Sequence, residues 1–600
     1  NGTNLFHSFG EFSVGALDKA RFLNTTPELA TSNILGRVTG GNPSNLFGTI
    51  DTLSYGNANL FLMNPAGIVF GPNATLNVGG AVTFTTANYL QLADTGIFHA
   101  DTSASSVLIS AQVVAFGFLG SNPAAITVQG SQLTVAEGAG ISLVGGNITI
   151  EAARFPDGTS QSAKLSAPGG QINVASVAGP GEVSAFDFLP TFGTTLGNIN
   201  ASQGALLDVS ADAAGTILIR GGHFVISDAT LAANTVNANG SPTALDIKVT
   251  GELSITDTRG LPAMTAQTTG TGDAGQIKIE SGNLSASTTY QDPSFAPFYL
   301  LYTRTEGSGN AGDVSITTGD LTVRNEAEIR SNGFAFIESG TGGTGQGGDV
   351  AINARNVTLE STSIVTGDSL AAASFPDVTG HAGNFRVTAD TLSFKDVVIS
   401  TEAFVSLTNV QSAGDITWNV RDINLKDSAI HAGGARRGGA VTLNFDSLFT
   451  DFSFFETWTI AGPGGGITAQ GRSIDLTNGS KVIATTIGNG DAGGISLTAT
   501  EQVTLSGRSS ANPSPFSEFS PTGLFSNAFG DFGEGSLGAA GDITVTTPRL
   551  TLDTGGRINS ITNSSGRGGN VTINANVVSM SGEFTGPFYV IEGTIADIGD

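Results

Sequence analysis

From about residue 270 the chain repeats one short unit: Gly, a variable residue, then a branched or aromatic residue that opens an alternating strand. Gly275-Gln276-Ile277-Lys278-Ile279, Gly312-Asp313-Val314-Ser315-Ile316 and Gly348-Asp349-Val350-Ala351-Ile352 are instances, and the pattern continues at Gly383, Gly414, Gly439, Gly465, Gly493, Gly541 and Gly569. A second strand starts seven residues after each opener: Ile277 leads to Leu284, Val314 to Leu321, Val350 to Val357, Phe385 to Leu392 and Ile416 to Ile423. The same offset joins Val441 to Leu448, Ile467 to Ile474, Ile543 to Leu550, Val571 to Val578 and, earlier, Ile217 to Phe224. Ile495 to Val503 is eight, the one slip. A third apolar position often follows, as at Ile329, Ile364, Ile399 and Ile430.

An offset of this length suits a strand of about four or five residues plus a corner of two or three. Three short strands joined by tight corners make one coil of a parallel β-helix, and the next coil stacks about 4.8 Å along the axis. Alternation puts Ile277 and Ile279 on one side and Gln276 and Lys278 on the other, so inward residues of successive coils stack in ladders. Asn at corners (Asn64, Asn77, Asn574) is expected to stack likewise, and Gly is expected at corners because it accepts φ > 0. A sandwich or propeller would carry hairpin turns between the paired strands. Asn478-Gly479 could turn a hairpin, but no Asn-Gly pair falls there. The fold class is therefore all-β, a solenoid with aromatic loop insertions.

Near the start the pattern changes. Asn59-Leu60-Phe61-Leu62-Met63-Asn64-Pro65-Ala66-Gly67-Ile68-Val69-Phe70-Gly71 is apolar, then a turn, then apolar again. Pro fixes φ, Gly permits φ > 0, and the flanks are strand formers. Around it lie Asn4-Leu5-Phe6-His7-Ser8-Phe9-Gly10-Glu11-Phe12, Arg37-Val38-Thr39-Gly40-Gly41 and Ala74-Thr75-Leu76-Asn77-Val78-Gly79-Gly80. In this order the motifs resemble the secretion domain of two-partner secretion proteins, the filamentous-haemagglutinin N-terminal family, cyanobacterial type. The resemblance covers residues 1–120, with 121–600 continuing the repeats. Ala66 departs from it, since the better-known turn has a second Asn there. Family members also carry strands ahead of the Asn-Leu-Phe motif that cap the helix end. Asn1 sits almost on that motif, so this end is expected to lack them or to be covered otherwise. The resemblance implies a right-handed β-helix, in keeping with the crossover preference. It also implies export through an outer-membrane partner pore. Asn4, Leu5, Phe6, Asn59, Leu60, Phe61, Asn64, Pro65 and Gly67 match the family motif and would form the secretion and partner-recognition nucleus.

Composition narrows the functions. A net charge of −26 with pI about 4.4 disfavours nucleic acid and anionic membranes. There is no Cys, hence no disulfide or thiol chemistry. Phe outnumbers Tyr and Trp, 36 against 6 and 2, which suits a dry stacked interior. No basic start or apolar segment marks a signal peptide, and no run approaches a spanning helix, as expected of a mature secreted or surface-exposed chain.

Aromatic stretches near 290–306, 446–460 and 509–535 leave the ruler. They either fold back over the core or form subunit or ligand contacts, for which Phe295, Phe298, Tyr299, Phe454, Phe455, Trp458, Phe516 and Phe519 are the candidates. No convergent carboxylates, G-x-S-x-G or metal spacing appears. Gly340 to Gly345 fits G-x-G-x-x-G but precedes a strand, so it reads as a loop. Asp313, Asp349, Asp415 and Asp542 follow repeat glycines, alternate outward and decorate the surface; stacked, they could hold Ca²⁺ only weakly. No cofactor and no metal is expected, and His7 is assigned to packing. The expected function is a secreted or cell-surface structural adhesin on a Gram-negative-type bacterium. A fibre subunit stacking head to tail is the first alternative and a carbohydrate-active β-helix enzyme the second. The expected partners are the secretion pore, and then other copies of the chain or surface glycans.

Overall fold

The computed structural model describes residues 2–290, 298–326, 334–366, 380–403, 411–509, 520–529, 538–563 and 565–582. It divides into two units, Asn1–Tyr290 and Gln291–Asp600. Each is a right-handed parallel β-helix whose core is a set of inward ladders.

In the second unit the ruler becomes register. Val314, Val350, Phe385, Ile416, Val441, Ile467, Ile495, Ile543 and Val571 pair in sequence along one ladder. Leu321, Val357, Leu392, Ile423, Leu448, Ile474, Val503, Leu550 and Val578 form the next. A third runs Ile337, Ile364, Ile399, Ile430, Phe455, Val482, Leu524 and Ile558. Ile329 lies outside the described residues. The slip at Ile495 to Val503 is absorbed by register shifts on both sides, at Gly471/Ser473 and at Thr498/Gln502. First and second strands run on as one bent strand in several coils, for example Ile467–Thr477. Burying each such aliphatic side chain contributes roughly 1.5–3 kcal/mol over leaving it in water.

The first unit has the same three ladders, with the Gly signature at Gly170, Gly215 and Gly275 but not in every coil. Leu60, Val82, Ile141, Ile172, Ile217, Leu245 and Ile277 make the first. Ile68, Ile126, Ile148, Ile199, Phe224, Leu253 and Leu284 make the second. Leu133, Leu165, Leu207, Leu231 and Met264 make the third. The repeat therefore begins well before residue 270.

The repeat glycines are explained by close approach, not by φ. None of the openers from Gly348 to Gly569 is among the residues of positive φ. A Cβ on Gly383, Gly414, Gly439, Gly465 or Gly493 would instead overlap the carbonyl of the corresponding Gly one coil earlier. Buried hydroxyls then fasten these corners. Thr366, Thr401 and Thr457 Oγ1 donate to the carbonyls of Gly383, Gly414 and Gly465 at 2.6, 2.7 and 2.7 Å.

The Asn stack expected at Asn64, Asn77 and Asn574 does not form as such. The stacked amide and carboxylate positions of the second unit are the residues after the repeat Gly. Asp313 Oδ1 accepts the Asp349 N–H at 2.8 Å, and Asp349 Oδ1 accepts the Asn384 N–H at 2.8 Å. Asn384 and Asp415 accept from Asp415 and Ala440 in turn, at 2.9 Å each. The carboxylates do face outward, but each also caps the coil that follows.

Replacing Gly414 by Ala should lower unfolding free energy by about 1–3 kcal/mol or more through overpacking. Gly466→Ala, whose Cβ would meet only the Gly494 carbonyl at 3.4 Å, should change it by less than about 0.5 kcal/mol. Urea denaturation of the two variants measures the contrast.

Candidate functional site

The two Asn-Leu-Phe motifs are brought together by a third strand that the motif pattern does not reveal. Asn4–Phe9 pairs with Asn33–Val38, which pairs with Asn59–Met63. Asn33-Ile34-Leu35 thus lies between Asn4-Leu5-Phe6 and Asn59-Leu60-Phe61, residue against residue. The three asparagines form a side-chain ladder. Asn33 Nδ2 donates to Asn4 Oδ1 at 2.9 Å, and Asn59 Nδ2 donates to Asn33 Oδ1 at 3.1 Å. Asn59 Oδ1 accepts the Ala81 N–H at 3.0 Å. At the other end Asn4 Nδ2 donates to the carbonyls of Ile109 and Ala111 at 3.0 and 2.7 Å. Asn4 is buried, so each bond in this run removes an otherwise costly orphan.

Those last two bonds lead into a separate covering sheet. Ile97–His99, Tyr89–Leu92, Val113–Phe118 and Gly181–Ser184 form an antiparallel four-stranded sheet in that order. It packs over outward-facing residues of the first coils. Leu35, Met63, Phe98, Phe116, Phe118 and Val183 share a second core there, with Phe6 and Phe61 packed against it. The motif Phe residues therefore face away from the helix axis and into this layer. Phe6 meets Phe98 edge-on at 5.1 Å, and the Arg37 guanidinium lies 4.9 Å from the Phe98 ring centre. Arg37 also donates to Ser8 Oγ and the His99 carbonyl, at 2.7 and 2.5 Å. Within the sheet, Tyr89 packs on Gly117, where a Cβ would overlap its ring. Its hydroxyl meets Glu182 Oε1 at 2.7 Å; burial and that carboxylate push its pKa up to about 12.

The turn is as its residues predict. The Gly67 N–H returns to the Asn64 carbonyl at 3.1 Å, and Gly67 has φ +117°. Asn64 Oδ1 accepts the Ala66 N–H at 2.9 Å, so the first Asn alone closes the side-chain turn. Its Nδ2 donates to the Asn42 carbonyl and Ser44 Oγ at 3.0 and 2.9 Å. Pro65 sits at the corner, and Leu60 is buried in the first ladder while Leu5 is half-buried. His7 stacks on Phe9 at 5.8 Å and meets Phe22 edge-on at 5.6 Å; burial holds its pKa below the usual range.

The aromatic candidates divide. Phe295, Phe516 and Phe519 lie outside the described residues. Phe298 and Tyr299 open a regular strand, Phe298–Tyr302, paired with Phe334–Glu338. Tyr299 stacks on Tyr302 at 5.3 Å, and burial with the Glu338 charge pushes both hydroxyls above their usual pKa. The stretch 446–460 is no insertion: Ser447–Asp451 and Phe454–Thr459 are ladder strands. Phe455 is 1% exposed and packs edge-on to Trp418 at 6.0 Å, so it is a core residue and not a contact residue. Its neighbours Phe454 and Trp458 alternate to the outside. Part of 509–535 is likewise a ladder strand, Gly523–Ala528.

Among the described residues no group of three or more His, Asp or Glu is placed to hold a metal ion. The repeat carboxylates are engaged otherwise, by backbone N–H groups and by Arg386 on Asp349 and Arg437 on Asp415, at 2.7 and 2.8 Å.

Gly67→Val places a β-branched side chain at positive φ, a strain of about 1–3 kcal/mol. It should deplete the protein from the medium of cells that carry the export machinery, as read by immunoblot of cell and medium fractions. Unchanged secretion would dissociate this turn from export.

Comparison with known proteins places these features. The sequence model of the family described as the TPS secretion domain matches residues 1–219, well past the boundary expected at 120. It takes in the motif strands, the turn and the whole covering sheet. No curated protein matches the chain. A solved structure to which it is similar is the HMW1 secretion domain from Haemophilus influenzae, at 15% identity and a TM-score of 0.34, covering 74% of this chain and 96% of that one.

Proposed function

We propose that this chain, a two-partner secretion exoprotein by its N-terminal secretion domain, acts outside the cell as a structural adhesin. A two-partner secretion domain engages a dedicated outer-membrane transporter, and the exoprotein is secreted across that membrane. The matched family is one of non-enzymatic exoproteins. The role of the exported chain is then decided by the surfaces its coils carry.

The observation that supports an adhesin is the outer face of the third ladder in the second unit. Phe454, Trp458, Lys481, Ile483 and Phe525 stand on adjoining strands beside Glu402, His431 and Glu456. Lys481 Nζ lies 5.9 Å from both the Phe454 and Phe525 ring centres. Trp458 Nε1 donates to Glu402 Oε1 at 2.6 Å. Half-buried aromatic rings set among charges, on a rigid laddered support, suit contact with a partner surface better than bulk solvent.

Trp458→Ala with Phe525→Ala should cut retention of the secreted protein on cell surfaces several-fold while leaving the core ladders intact. Cell-surface immunofluorescence of wild type and variant reads this. Equal retention would remove the patch as the adhesive face, and long regular filaments in electron micrographs would favour the fibre subunit instead.

The same face carries a pH response. Burial opposes charge on His431, but the Glu456 hydrogen bond and the Glu402 and Glu456 charges outweigh it and raise its pKa above 6.5. The stabilisation is thus complete below pH 6.5 and is lost as pH rises through the raised value. Melting temperature should fall across that window in wild type, and the fall should be smaller in His431→Gln.

A further inference from the structure

Between the covering sheet and the first unit's helix runs a groove of about 670 Å³. One bank is the outward ladder Phe61, Thr83, Ser142 and Asn173. Phe116 and Phe188 form the other. The floor is bare turn backbone at Gly138, Gly169, Gly170 and Gly215.

Four features define what this groove can hold. First, among the described residues no charged side chain lines it, so nothing there would compensate a carboxylate, phosphate or ammonium. Second, Thr83, Ser142 and Asn173 are adjacent in register, which spaces their polar groups by about 4.8 Å along the axis. Asn173 Nδ2 donates to Ser142 Oγ at 3.0 Å. Asn173 is only 4% exposed, and its Oδ1 has no hydrogen-bond partner among the described residues. A buried acceptor left alone costs about 1–3 kcal/mol, so a ligand offering an O–H or N–H donor is favoured there. Third, Phe116 and Phe188 are stacked, 6.2 Å apart with 19° between planes, and present an apolar wall opposite the polar ladder. Fourth, the backbone at the floor is already paired: the Thr216 N–H goes to the Gly170 carbonyl at 3.0 Å and the Gly170 N–H to the Ala167 carbonyl at 2.9 Å. This paired floor offers no sheet edge to an extended peptide, which would need one.

A neutral ligand with hydroxyl donors on one side and C–H faces on the other meets all four conditions. We propose that this groove binds a short uncharged saccharide lying along the helix axis, with Asn173 and Ser142 on its hydroxyls and Phe116 and Phe188 against its ring faces. The volume falls in the ordinary range for small-molecule sites, about 300–1,000 Å³. The site is built from residues of the first unit and the aromatic face from residues of the second, so either reading can fail without the other.

The test is calorimetric titration of the full chain with cellotriose, maltotriose and triacetylchitotriose, with 3′-sialyllactose as the charged comparison. At least one neutral trisaccharide should bind at millimolar concentration or below, and the charged one should bind more weakly. Asn173→Leu should weaken binding about tenfold. Gln171→Trp, at an exposed groove position, should block it while leaving the melting temperature unchanged, which keeps the test valid should Asn173→Leu fail to fold. No binding by any of the three, equal binding of 3′-sialyllactose, or binding undiminished in Gln171→Trp would each overturn the proposal.

Discussion

Each coil of the second unit must seat its opening turn directly on the carbonyl of the coil before it. That contact admits no Cβ from Gly383 through Gly493. It fixes where each coil starts, and the other ladders come at set distances along the chain. Val314 cannot pair with Val350 without carrying Leu321 onto Val357, because one bent strand holds both. The Thr hydroxyls that bind the same carbonyls tie the end of one coil to the start of the next, so one small area determines the connection and the register together.

The first unit meets the same demand with a different emphasis. Its coils carry a second layer, and the residues that matter most point outward. Phe6, Leu35, Phe61 and Met63 would be surface residues on a bare helix, yet here they lie under strands up to about residue 184. The Asn4–Asn33–Asn59 ladder joins both layers, because its last donor reaches Ile109 and Ala111 next to the covering strand. Motif residues in this part of the chain thus hold a sheet onto a helix as well as one coil onto the next.

How much of this is legible in the sequence depends on which interactions are local. The spacing of seven is a property of one coil, so the ladders of the second unit were legible. The turn at Asn64 was legible for the same reason, since its bonds to Ala66 and Gly67 are between near neighbours. Asn33 is hidden in the sequence because Ile and Leu follow it where the other two strands have Leu and Phe. The covering sheet was invisible, since alternation says which residues share a face and not what lands on it. Phe455 misleads for a different reason: aromatic density around it suggests an insertion, whereas the alternation of Phe454, Phe455, Glu456 and Thr457 is that of a strand. The repeat glycines are plain in the sequence but their cause is not, because steric contact between coils leaves no trace in any single turn.

The capping ladder runs in one direction only. Asp313 accepts from Asp349, Asp349 from Asn384, Asn384 from Asp415 and Asp415 from Ala440, always from the coil that comes later in the chain. On this corner a finished coil displays side-chain acceptors toward its carboxyl side, while a serine ladder runs the other way: the Val397, Ser428 and Ser453 N–H groups donate to Ser428, Ser453 and Ser480 Oγ at 3.2, 3.1 and 3.1 Å. Growth from either end therefore meets fixed acceptors, the carboxylate and amide ladder on one corner and the serine ladder on another. Each completed coil is thereby a template for its neighbour on either side, so a segment joining the stack has its register set before its inward residues are buried.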